Sequence, residues 1–442
     1  MNFKSGLEKI RKVVRNEKVD ICFQEDISPL WEPLETKDFR LPNRVAIQPL
    51  EFADADARGA PTRYTLERYL DYVAGCSGLI WFEACSIDFP KARTHDSMLV
   101  ISKENFSKFK KLVQAVKENS EKSLADNGFS GSAPLILQLS HGGRFRKEKS
   151  TESPVIANRV PKEYGGLPEE VGRVITDEEL VQLKETFVKA SLLAQEAGFD
   201  GVDVKACHGY LLNEILASFN REGKYGGESL EDRARFLLET IDEVVEETDI
   251  GVTSRISAYD GTPYPYGFGV TRKKTGYLPE FDASEPVKIL KQMYRSGVDL
   301  VNISMGNPYV CPFVSRPFAS KEMGGGVEHP LKGVERHFKI VKELKEAVPE
   351  MNFIGSGYSW LRNYSLNAAS YNIDNKLVDV AGWGRLVIAN PDFPSDAHKK
   401  GLLSSRKVCE LCSSCIKLLR SEIRVGCVIH DENARKRYGN II

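Results

Sequence analysis

Short runs of apolar residues alternate along the chain with longer segments of helical periodicity. The runs are too short for helices, and they lack the polar alternation of strands with one solvated face, so they predict strands buried on both faces. Eight strands are predicted in this way. They cover residues 44–50, 78–83, 134–139, 201–206, 251–257, 298–304, 352–356 and 377–381.

The segments between these runs carry helix start and stop signals. The clearest helix begins at Thr176, where Glu179 completes a capping box, and ends at Gly198. Its apolar face comprises Leu180, Leu183, Phe187, Ala190 and Ala194. A second helix is predicted to begin at Ser102, with an apolar face formed by Phe106, Phe109, Val113 and Val116.

This alternation predicts an α/β protein with a parallel sheet, because neighbouring parallel strands are joined by crossovers and not by tight turns. Eight repeats close a (βα)8 TIM barrel. The alternative, an open doubly wound sheet, would place a Gly-rich phosphate motif after the first strand, where Pro49, Leu50 and Glu51 stand instead. We expect the barrel at residues 43–400, after an N-terminal extension of residues 1–42 and before a Cys-rich tail of residues 401–442.

Three connections are longer than a loop plus helix requires: residues 142–175, 257–283 and 305–328. They follow the third, fifth and sixth strands, at the end of a barrel where active sites lie, so we expect them to roof a pocket. Three consecutive glycines from Gly324 to Gly326 indicate either a mobile segment or a plain surface turn.

The charge and hydropathy of the chain exclude several classes of protein. The 61 Lys and Arg residues balance 62 Asp and Glu residues, which argues against a nucleic-acid partner. No apolar stretch approaches the roughly 18 residues of a membrane span, and the first residues lack the apolar run of a secretory signal. We therefore expect a cytoplasmic protein that binds no membrane.

Candidate functional side chains stand at the predicted carboxyl ends of the strands. Gln138 ends the third strand, Lys205 lies at the end of the fourth with His208 and Tyr210 just beyond, and Arg255 lies on the fifth. Because strand residues alternate in direction, Gln138 and Lys205 can face the barrel interior. A buried Arg255 would need an anionic or carbonyl acceptor there.

The seventh and eighth strands run into glycine-containing turns, which include Ser356, Gly357, Gly384 and Arg385. Barrels commonly bind a phosphate at this position on backbone N–H groups. Either turn alone is more typical of an ordinary strand-to-helix connection. Together with Gln138 and Arg255, they indicate a nucleotide-like cofactor whose ring lies across the barrel mouth.

The tail contains four closely spaced cysteines: Cys409, Cys412, Cys415 and Cys427. Four thiolates suit an iron–sulfur cluster, and they also suit tetrahedral zinc. Free thiols are the third interpretation. The other five cysteines are scattered, and we expect them to be small buried apolar residues.

Several motifs occur at these strand ends in a definite order. They are Asn43-Arg44 with Pro49, Leu79 to Ala84, Gln138 to Arg144, His208 to Glu214, Asn220-Arg221, Tyr225-Gly226-Gly227 with Arg233, and Gly384-Arg385 with Asn390-Pro391. This set resembles the old yellow enzyme family of FMN oxidoreductases over about residues 30 to 400. The resemblance implies that Gln138 and Arg255 contact the flavin ring, with Pro49, Leu50 and Ala84 packed around it.

The resemblance also implies that Ser356, Gly357, Gly384 and Arg385 bind the FMN phosphate. His208 would hydrogen-bond a substrate carbonyl oxygen, and Tyr210 would donate a proton. The chain departs from the family pattern at Lys205, where the family usually has a histidine, and at Glu51, where it has Thr or Cys near the flavin O4. We expect Lys205 either to bind an acidic substrate or to pair with Glu51 or another buried acid.

The cysteine spacing resembles the iron–sulfur branch of the family, which includes 2,4-dienoyl-CoA reductases and trimethylamine dehydrogenase. Those relatives bind a 4Fe-4S cluster after the barrel and continue into nucleotide-binding domains, which we expect to be absent here. Electrons would then reach FMN directly from NAD(P)H, or from a ferredoxin or reductase partner through the cluster.

The predicted function is that of an FMN-dependent ene-reductase, which saturates the C=C bond of an α,β-unsaturated carbonyl compound such as an enone or enoate. The alternatives are an amine dehydrogenase of the trimethylamine dehydrogenase type and an electron-transfer subunit carrying flavin and cluster. A zinc protein on a vestigial barrel would leave Gln138, Arg255 and Tyr210 without a role. Many relatives associate, so a homo-oligomer is compatible with the sequence.

Overall fold

Eight parallel strands close into a barrel in the computed structural model, which describes residues 3–145, 153–167, 171–273, 278–318 and 327–439. The strands are β1 (Val45–Ile47), β2 (Leu79–Ile87), β3 (Leu135–Ser140), β4 (Gly201–Val204), β5 (Gly251–Tyr259), β6 (Leu300–Met305), β7 (Asn352–Gly355) and β8 (Val380–Trp383). Each strand pairs with the next, and β1 closes the ring by pairing with both β8 and β2. The predicted (βα)8 barrel and its eight strands are confirmed.

Helices lie outside the strands and complete the repeats. They are α1 (Arg63–Ala74), α2 (Phe106–Asp126), α3 (Asp177–Ala197), α4 (Leu230–Glu247), α5 (Ser284–Arg295), α6 (Pro330–Ala347), α7 (Ser365–Asp374) and α8 (Phe393–Lys400). The capping box predicted for α3 is present: Thr176 Oγ1 accepts from the Glu179 N–H at 3.2 Å, and Glu179 Oε2 accepts from the Thr176 N–H at 3.0 Å.

The predicted start of α2 was wrong. Ser102 follows a two-residue strand, Val100–Ile101, that pairs with β2, and its hydroxyl accepts a hydrogen bond from the Asn105 N–H at 3.3 Å. Asn105 precedes the first residue of the helix, Phe106. The apolar periodicity located the helix, while this local turn delays its first residue.

The amino-terminal end of the barrel is filled by side chains. A short hairpin pairs Leu34–Glu35 with Arg40–Leu41, and the Phe39 ring packs against Gly201 and Gly251 at the starts of β4 and β5. A cluster of buried side chains continues inward from this plug: Leu41, Ala46, Leu79, Trp81, Ile136, Leu300, Ile354 and Val380. Space for a ligand therefore remains at the opposite end, where the carboxyl ends of the strands lie.

Segments before and after the barrel pack on its surface. The helix Phe3–Asn16 contributes Leu7 and Val14 to an apolar cluster with Leu331 and Val334 of α6. The tail contains the helices Ser414–Arg420 and Glu432–Tyr438, and the Val425 N–H donates to the Phe52 carbonyl at 2.9 Å. Other short helices are Leu211–Leu216, Pro312–Ser315 and Arg385–Ala389, and Val155–Ile156 pairs with Arg173–Val174 in a small separate sheet.

None of the helices in the described part of the chain is long and apolar enough to span a bilayer. The glycines from Gly324 to Gly326 lie outside the described residues.

Candidate active site

A cavity of about 250 Å³ opens at the carboxyl ends of the strands. The predicted non-cysteine site residues all line it: Pro49, Leu50, Glu51, Ala84, Gln138, Lys205, His208, Tyr210, Arg255, Ser356, Gly357, Gly384 and Arg385. They come from the ends of seven of the eight strands. None of these predicted residues comes from β6. The fold thus brings residues that are distant in sequence to one site, while the role of each remains a prediction.

Asp203 organises the floor of the cavity and was not predicted from the sequence. Its carboxylate accepts hydrogen bonds from Gln138 Nε2 at 2.5 Å, from Trp81 Nε1 at 2.8 Å and from the Arg255 N–H at 2.6 Å. Because the Gln138 amide nitrogen is committed to Asp203, its amide oxygen is available as an acceptor. An acid within the apolar strand Gly201–Val204 was the available signal.

His208 occupies a left-handed backbone conformation at the end of β4, with φ of 68°. Gly209 follows with φ of 73°, and a side chain there would collide with Asn307. This turn brings His208 Nε2 within 2.8 Å of Ser304 Oγ on β6. Burial, with the positive charges of Arg255 and Lys205, lowers the pKa of His208 well below its usual value, so the imidazole is neutral.

Tyr210, Glu51 and Lys205 form one buried network. The Tyr210 hydroxyl donates to Glu51 Oε1 at 2.8 Å, and Lys205 Nζ lies 3.8 Å from the same oxygen and 3.7 Å from the Tyr210 ring centroid. The other Glu51 oxygen lies 3.4 Å from His95 Nε2. Of the two expectations for Lys205, pairing with Glu51 is the arrangement observed.

The charges in this network are set by these contacts. Burial alone would raise the pKa of Glu51, but the nearby His95 ring, the charge of Lys205 and the hydrogen bond from Tyr210 outweigh it and hold that pKa at about 2. Glu51 is therefore an anion. Burial and the Glu51 charge raise the pKa of Tyr210 well above its usual value, so its hydroxyl keeps its proton.

Among the described loop residues, those of the first and third long loops line the cavity. Phe145 comes from the first, and Pro308, Tyr309, Arg316 and neighbouring residues come from the third. Tyr309 stacks on Phe145 with ring centroids 3.9 Å apart, and its hydroxyl lies 3.5 Å from that of Tyr210. The second loop instead supplies Thr262 and Tyr266 to a smaller adjoining cavity.

The cysteine tail also contributes to the cavity wall, which the sequence did not predict. Ile416, Leu419 and Arg420 of the helix Ser414–Arg420 line it, and Arg420 Nη2 donates to the Pro308 carbonyl at 3.3 Å. Cys415 lies in the same helix. The four-cysteine segment is thus adjacent to the site at the barrel mouth.

The polar groups of the cavity fit a flavin nucleotide. Arg255 is 8% exposed, and its Nε is buried without a hydrogen-bond partner among the described residues. The same is true of Arg385 Nη1, at the end where a phosphate is expected. Gly357 has φ of 98°, and a Cβ there would press on His337. Cationic donors without acceptors beside a glycine turn are what an anionic nucleotide requires.

The four tail cysteines are near one another in the structure. The pKa of Cys415 is raised to about 12, first by burial and then by Cys409, and burial with Cys409 and Cys412 also raises that of Cys427. Within the described ranges, no group of three or more His, Cys, Asp or Glu side chains is arranged to hold a metal ion. Of the scattered cysteines, Cys22 is exposed, contrary to the prediction, and the other four are buried.

Comparison of the sequence with known proteins identifies the family of the chain. Residues 29–268 match the model of the NADH:flavin oxidoreductase / NADH oxidase family. The chain belongs to this family. It is 31% identical over 283 residues to the NADPH dehydrogenase of Bacillus subtilis (strain 168), an alignment that covers 63% of this chain and 73% of the relative. The protein is therefore an FMN-dependent oxidoreductase, and its family supports a nicotinamide coenzyme as electron source.

Solved structures share the fold at lower identity. A 2-naphthoyl-CoA reductase in complex with 2-naphthoyl-CoA superposes with a TM-score of 0.70 at 19% identity, covering 91% of this chain. This chain spans only 57% of the length of that reductase. Morphinone reductase superposes with a TM-score of 0.62 at 23% identity, covering 86% of this chain and 91% of its own. At these identities the likeness extends to the fold alone.

Proposed function

We propose that this family member is an ene-reductase that saturates the C=C bond of an α,β-unsaturated carbonyl compound, with Tyr210 as the proton donor. The observation that carries the proposal is the presence of the Tyr210 hydroxyl and the His208 imidazole in the same cavity as the predicted flavin-binding residues. Addition of a hydride to an activated alkene develops charge on the carbonyl oxygen and requires a proton at the α-carbon.

The residues that would hold FMN are Gln138, Arg255, Ser356, Gly357, Gly384 and Arg385, with Pro49, Leu50, Glu51 and Ala84 around the ring. When bound, FMN supplies the hydride. The Arg255 guanidinium would stabilise negative charge near the flavin ring, because it is a buried cation whose Nε lacks an acceptor among the described residues.

His208 would bind the substrate carbonyl. Ser304 engages its Nε2, and Nδ1 makes no hydrogen bond within the part of the chain that the structure describes. If the Ser304 hydroxyl donates to Nε2, the neutral ring carries its proton on Nδ1 and donates it to the carbonyl oxygen. This arrangement polarises the carbonyl without adding a full positive charge.

Tyr210 would then transfer its hydroxyl proton to the α-carbon of the substrate. The tyrosinate left behind lies beside the Lys205 ammonium, 3.7 Å from the ring centroid, which stabilises the negative charge. Glu51 orients the hydroxyl through the 2.8 Å hydrogen bond. Lys205 thus acts on the proton donor, and a role in binding an acidic substrate group is the alternative.

Anaerobic mixing tests this proposal. The enzyme is reduced with NADPH or dithionite and mixed with a series of enones, enoates and amines, and flavin absorbance is followed. Reoxidation by enones or enoates supports the proposal. If these compounds leave the flavin reduced while an amine reduces the oxidised enzyme, the amine dehydrogenase function replaces it.

We further propose that Cys409, Cys412, Cys415 and Cys427 bind a 4Fe-4S cluster, as in the iron–sulfur branch that the chain resembles. Four soft thiol ligands suit an iron–sulfur cluster, and the Leu411 N–H donates to Cys409 Sγ at 3.4 Å. Iron and sulfide counts on anaerobically purified protein test this assignment. Stoichiometric zinc without sulfide would replace the cluster with a structural zinc site.

The electron donor is then either NAD(P)H at the barrel mouth or a ferredoxin or reductase partner through the tail. The adjacency of the tail helix to the cavity favours a role for the cysteine segment in electron entry. Reduction of the flavin by NADPH alone, at the rate of turnover, would make a protein donor unnecessary.

A further inference from the structure

Arg316 lines the cavity but belongs to none of the motifs recognised in the sequence. It follows the short helix Pro312–Ser315 in the loop after β6. Arg385 Nη2 donates to the carbonyl oxygen of Pro317, the next residue along, at 3.2 Å. The two guanidinium groups are therefore neighbours, although 68 positions separate Pro317 from Arg385 in the chain.

Several donors in this pair lack acceptors. Nη1 and Nη2 of Arg316 and Nη1 of Arg385 are buried without hydrogen-bond partners among the described residues. Neither residue forms an ion pair with a carboxylate in that part of the chain, whereas other buried arginines do, such as Arg68 with Asp54 at 2.9 Å. Leaving buried cationic donors unsatisfied is costly, so this arrangement indicates an anionic ligand in the cavity.

The surrounding charges agree with this conclusion. Arg385 and Arg420 both place positive charge close to the Arg316 guanidinium. A ligand with two negative charges would relieve the repulsion between Arg316 and Arg385. A single carboxylate would neutralise only half of it.

His337 fixes the position of the loop that carries Arg316. It lies on α6, and its Nε2 is 3.1 Å from the Val314 carbonyl oxygen, two residues before Arg316. Burial and the charge of Arg336 lower the pKa of His337 to about 3, so the ring is neutral and Nε2–H donates. His337 also lies behind Gly357, where an added Cβ would come within 3.2 Å of the His337 Cβ and 3.4 Å of its ring. The loop after β6 and the turn after β7 are thus held together.

We propose that Arg316 binds the phosphate group of the flavin nucleotide as the partner of Arg385. A phosphate monoester dianion matches the two guanidinium charges, and the planar fork of arginine suits two oxygens of one phosphate. The described segment from Pro312 to Phe318 would then form one wall of the phosphate site. The proposal rests on the FMN dependence of the family and not on the reduction of alkenes.

Binding of FMN and of riboflavin, which lacks the phosphate, tests the proposal. Flavin-free full-length protein is titrated with each compound, and flavin fluorescence or heat is recorded. The variants are Arg316→Met and Arg316→Lys. The matched charge control is Arg40→Met, in the hairpin at the opposite end of the barrel, where the side chain is 69% exposed.

Arg316→Met is expected to weaken FMN binding roughly 10- to 100-fold and to change riboflavin binding less than about twofold, since charge-assisted hydrogen bonds are lost only with the phosphate. Arg316→Lys should lose less FMN affinity, because it keeps the positive charge but not the planar pair of N–H donors. Arg40→Met should bind both compounds as the wild type does.

Equal loss of FMN and riboflavin affinity in Arg316→Met would show a structural role and overturn the proposal. Unchanged FMN affinity would overturn it as well. Should Arg316→Met fail to fold, the FMN-to-riboflavin ratio of Arg316→Lys decides. Failure of alkene reduction leaves this measurement unaffected, because no substrate is present.

Discussion

The Tyr210 hydroxyl donates a 2.8 Å hydrogen bond to the Glu51 carboxylate, across 159 positions of sequence. If Tyr210 delivers a proton to the substrate, this contact means that the proton donor is hydrogen-bonded to an anion, the Glu51 carboxylate. The hydroxyl therefore has to leave Glu51, or share its proton, when substrate binds. Lys205 offsets the cost of burying the Glu51 charge, because its ammonium lies 3.8 Å from the same carboxylate oxygen.

Replacing Tyr210 by Phe should separate the two half-reactions. Flavin reduction by NADPH requires no proton from this residue and should stay within about twofold of wild type. Reoxidation by an enone should slow roughly 100-fold or more, since positioned general acids contribute 10²–10⁴-fold. Stopped-flow absorbance of each half-reaction checks this. An equal loss in both would mean that Tyr210 shapes the cavity and donates no proton.

Glu51 and Lys205 should depend on each other for stability. Lys205 is 3% exposed, so Glu51→Gln leaves a buried ammonium without its partner and should cost about 3 kcal/mol. Lys205→Met should cost a similar amount by removing the ammonium that faces the carboxylate. The double variant should cost less than either single variant. Urea unfolding of the flavin-free proteins measures all three changes.

The matched control is the exposed pair Lys189–Glu185 on α3, whose nitrogen and oxygen atoms are 3.5 Å apart. Removing either partner there should change stability by less than about 0.5 kcal/mol. Additive costs at Glu51 and Lys205 would contradict the coupling between them.

A second buried network, beneath the site, should make stability depend on pH. Arg68 pairs with both Asp54 and Glu83, and Glu83 Oε2 accepts from the Phe52 N–H at 3.1 Å, one residue after Glu51. Burial, which the attraction of Arg68 only partly offsets, raises the pKa of Glu83 from 4.5 to about 7, and Asp54 contributes to the rise.

The folded protein therefore binds this proton more tightly than the unfolded chain does. The contribution of protonated Glu83 to the free energy of unfolding is complete below about pH 4.5 and is lost as the pH rises through about 7. Because Gln cannot ionise, the stability of Glu83→Gln relative to wild type should increase by about 2–3 kcal/mol over this interval. Chemical unfolding at pH 5, 6, 7 and 8 gives the difference, and a constant difference would rule out a titrating Glu83.

The fold was predictable because its signals are local. Most barrel strands are short, predominantly apolar runs, and the capping box of Thr176 and Glu179 lies within four residues. The cavity residues were predictable where a motif marks a strand end. What the sequence did not reveal are contacts between distant positions, such as Asp203 with Gln138, His208 with Ser304 and Arg316 with the Arg385 loop. They depend on how strands and loops meet, and no local pattern encodes that.

Ser304 provides the last prediction, since its hydroxyl lies 2.8 Å from His208 Nε2 and the ring is neutral. If the Ser304 hydroxyl donates to Nε2, Ser304→Ala removes the group that keeps the proton of the ring on Nδ1. We expect the KM for a carbonyl substrate to rise roughly tenfold, with flavin reduction by NADPH unchanged, because only the substrate uses Nδ1–H. Ser304→Thr keeps the hydroxyl and should restore most of the affinity.

Because the His208 pKa lies well below its usual value, the KM of wild type should show no histidine titration between pH 6 and pH 8. In Ser304→Ala the ring can take either tautomer, yet Arg255 and Lys205 still oppose a positive charge on it, so the KM should stay flat over the same range at its higher level. A KM that rises or falls through a single ionisation near pH 6.5 in the wild-type enzyme would contradict a neutral His208 and, with it, the assignment of Nδ1–H as the carbonyl donor.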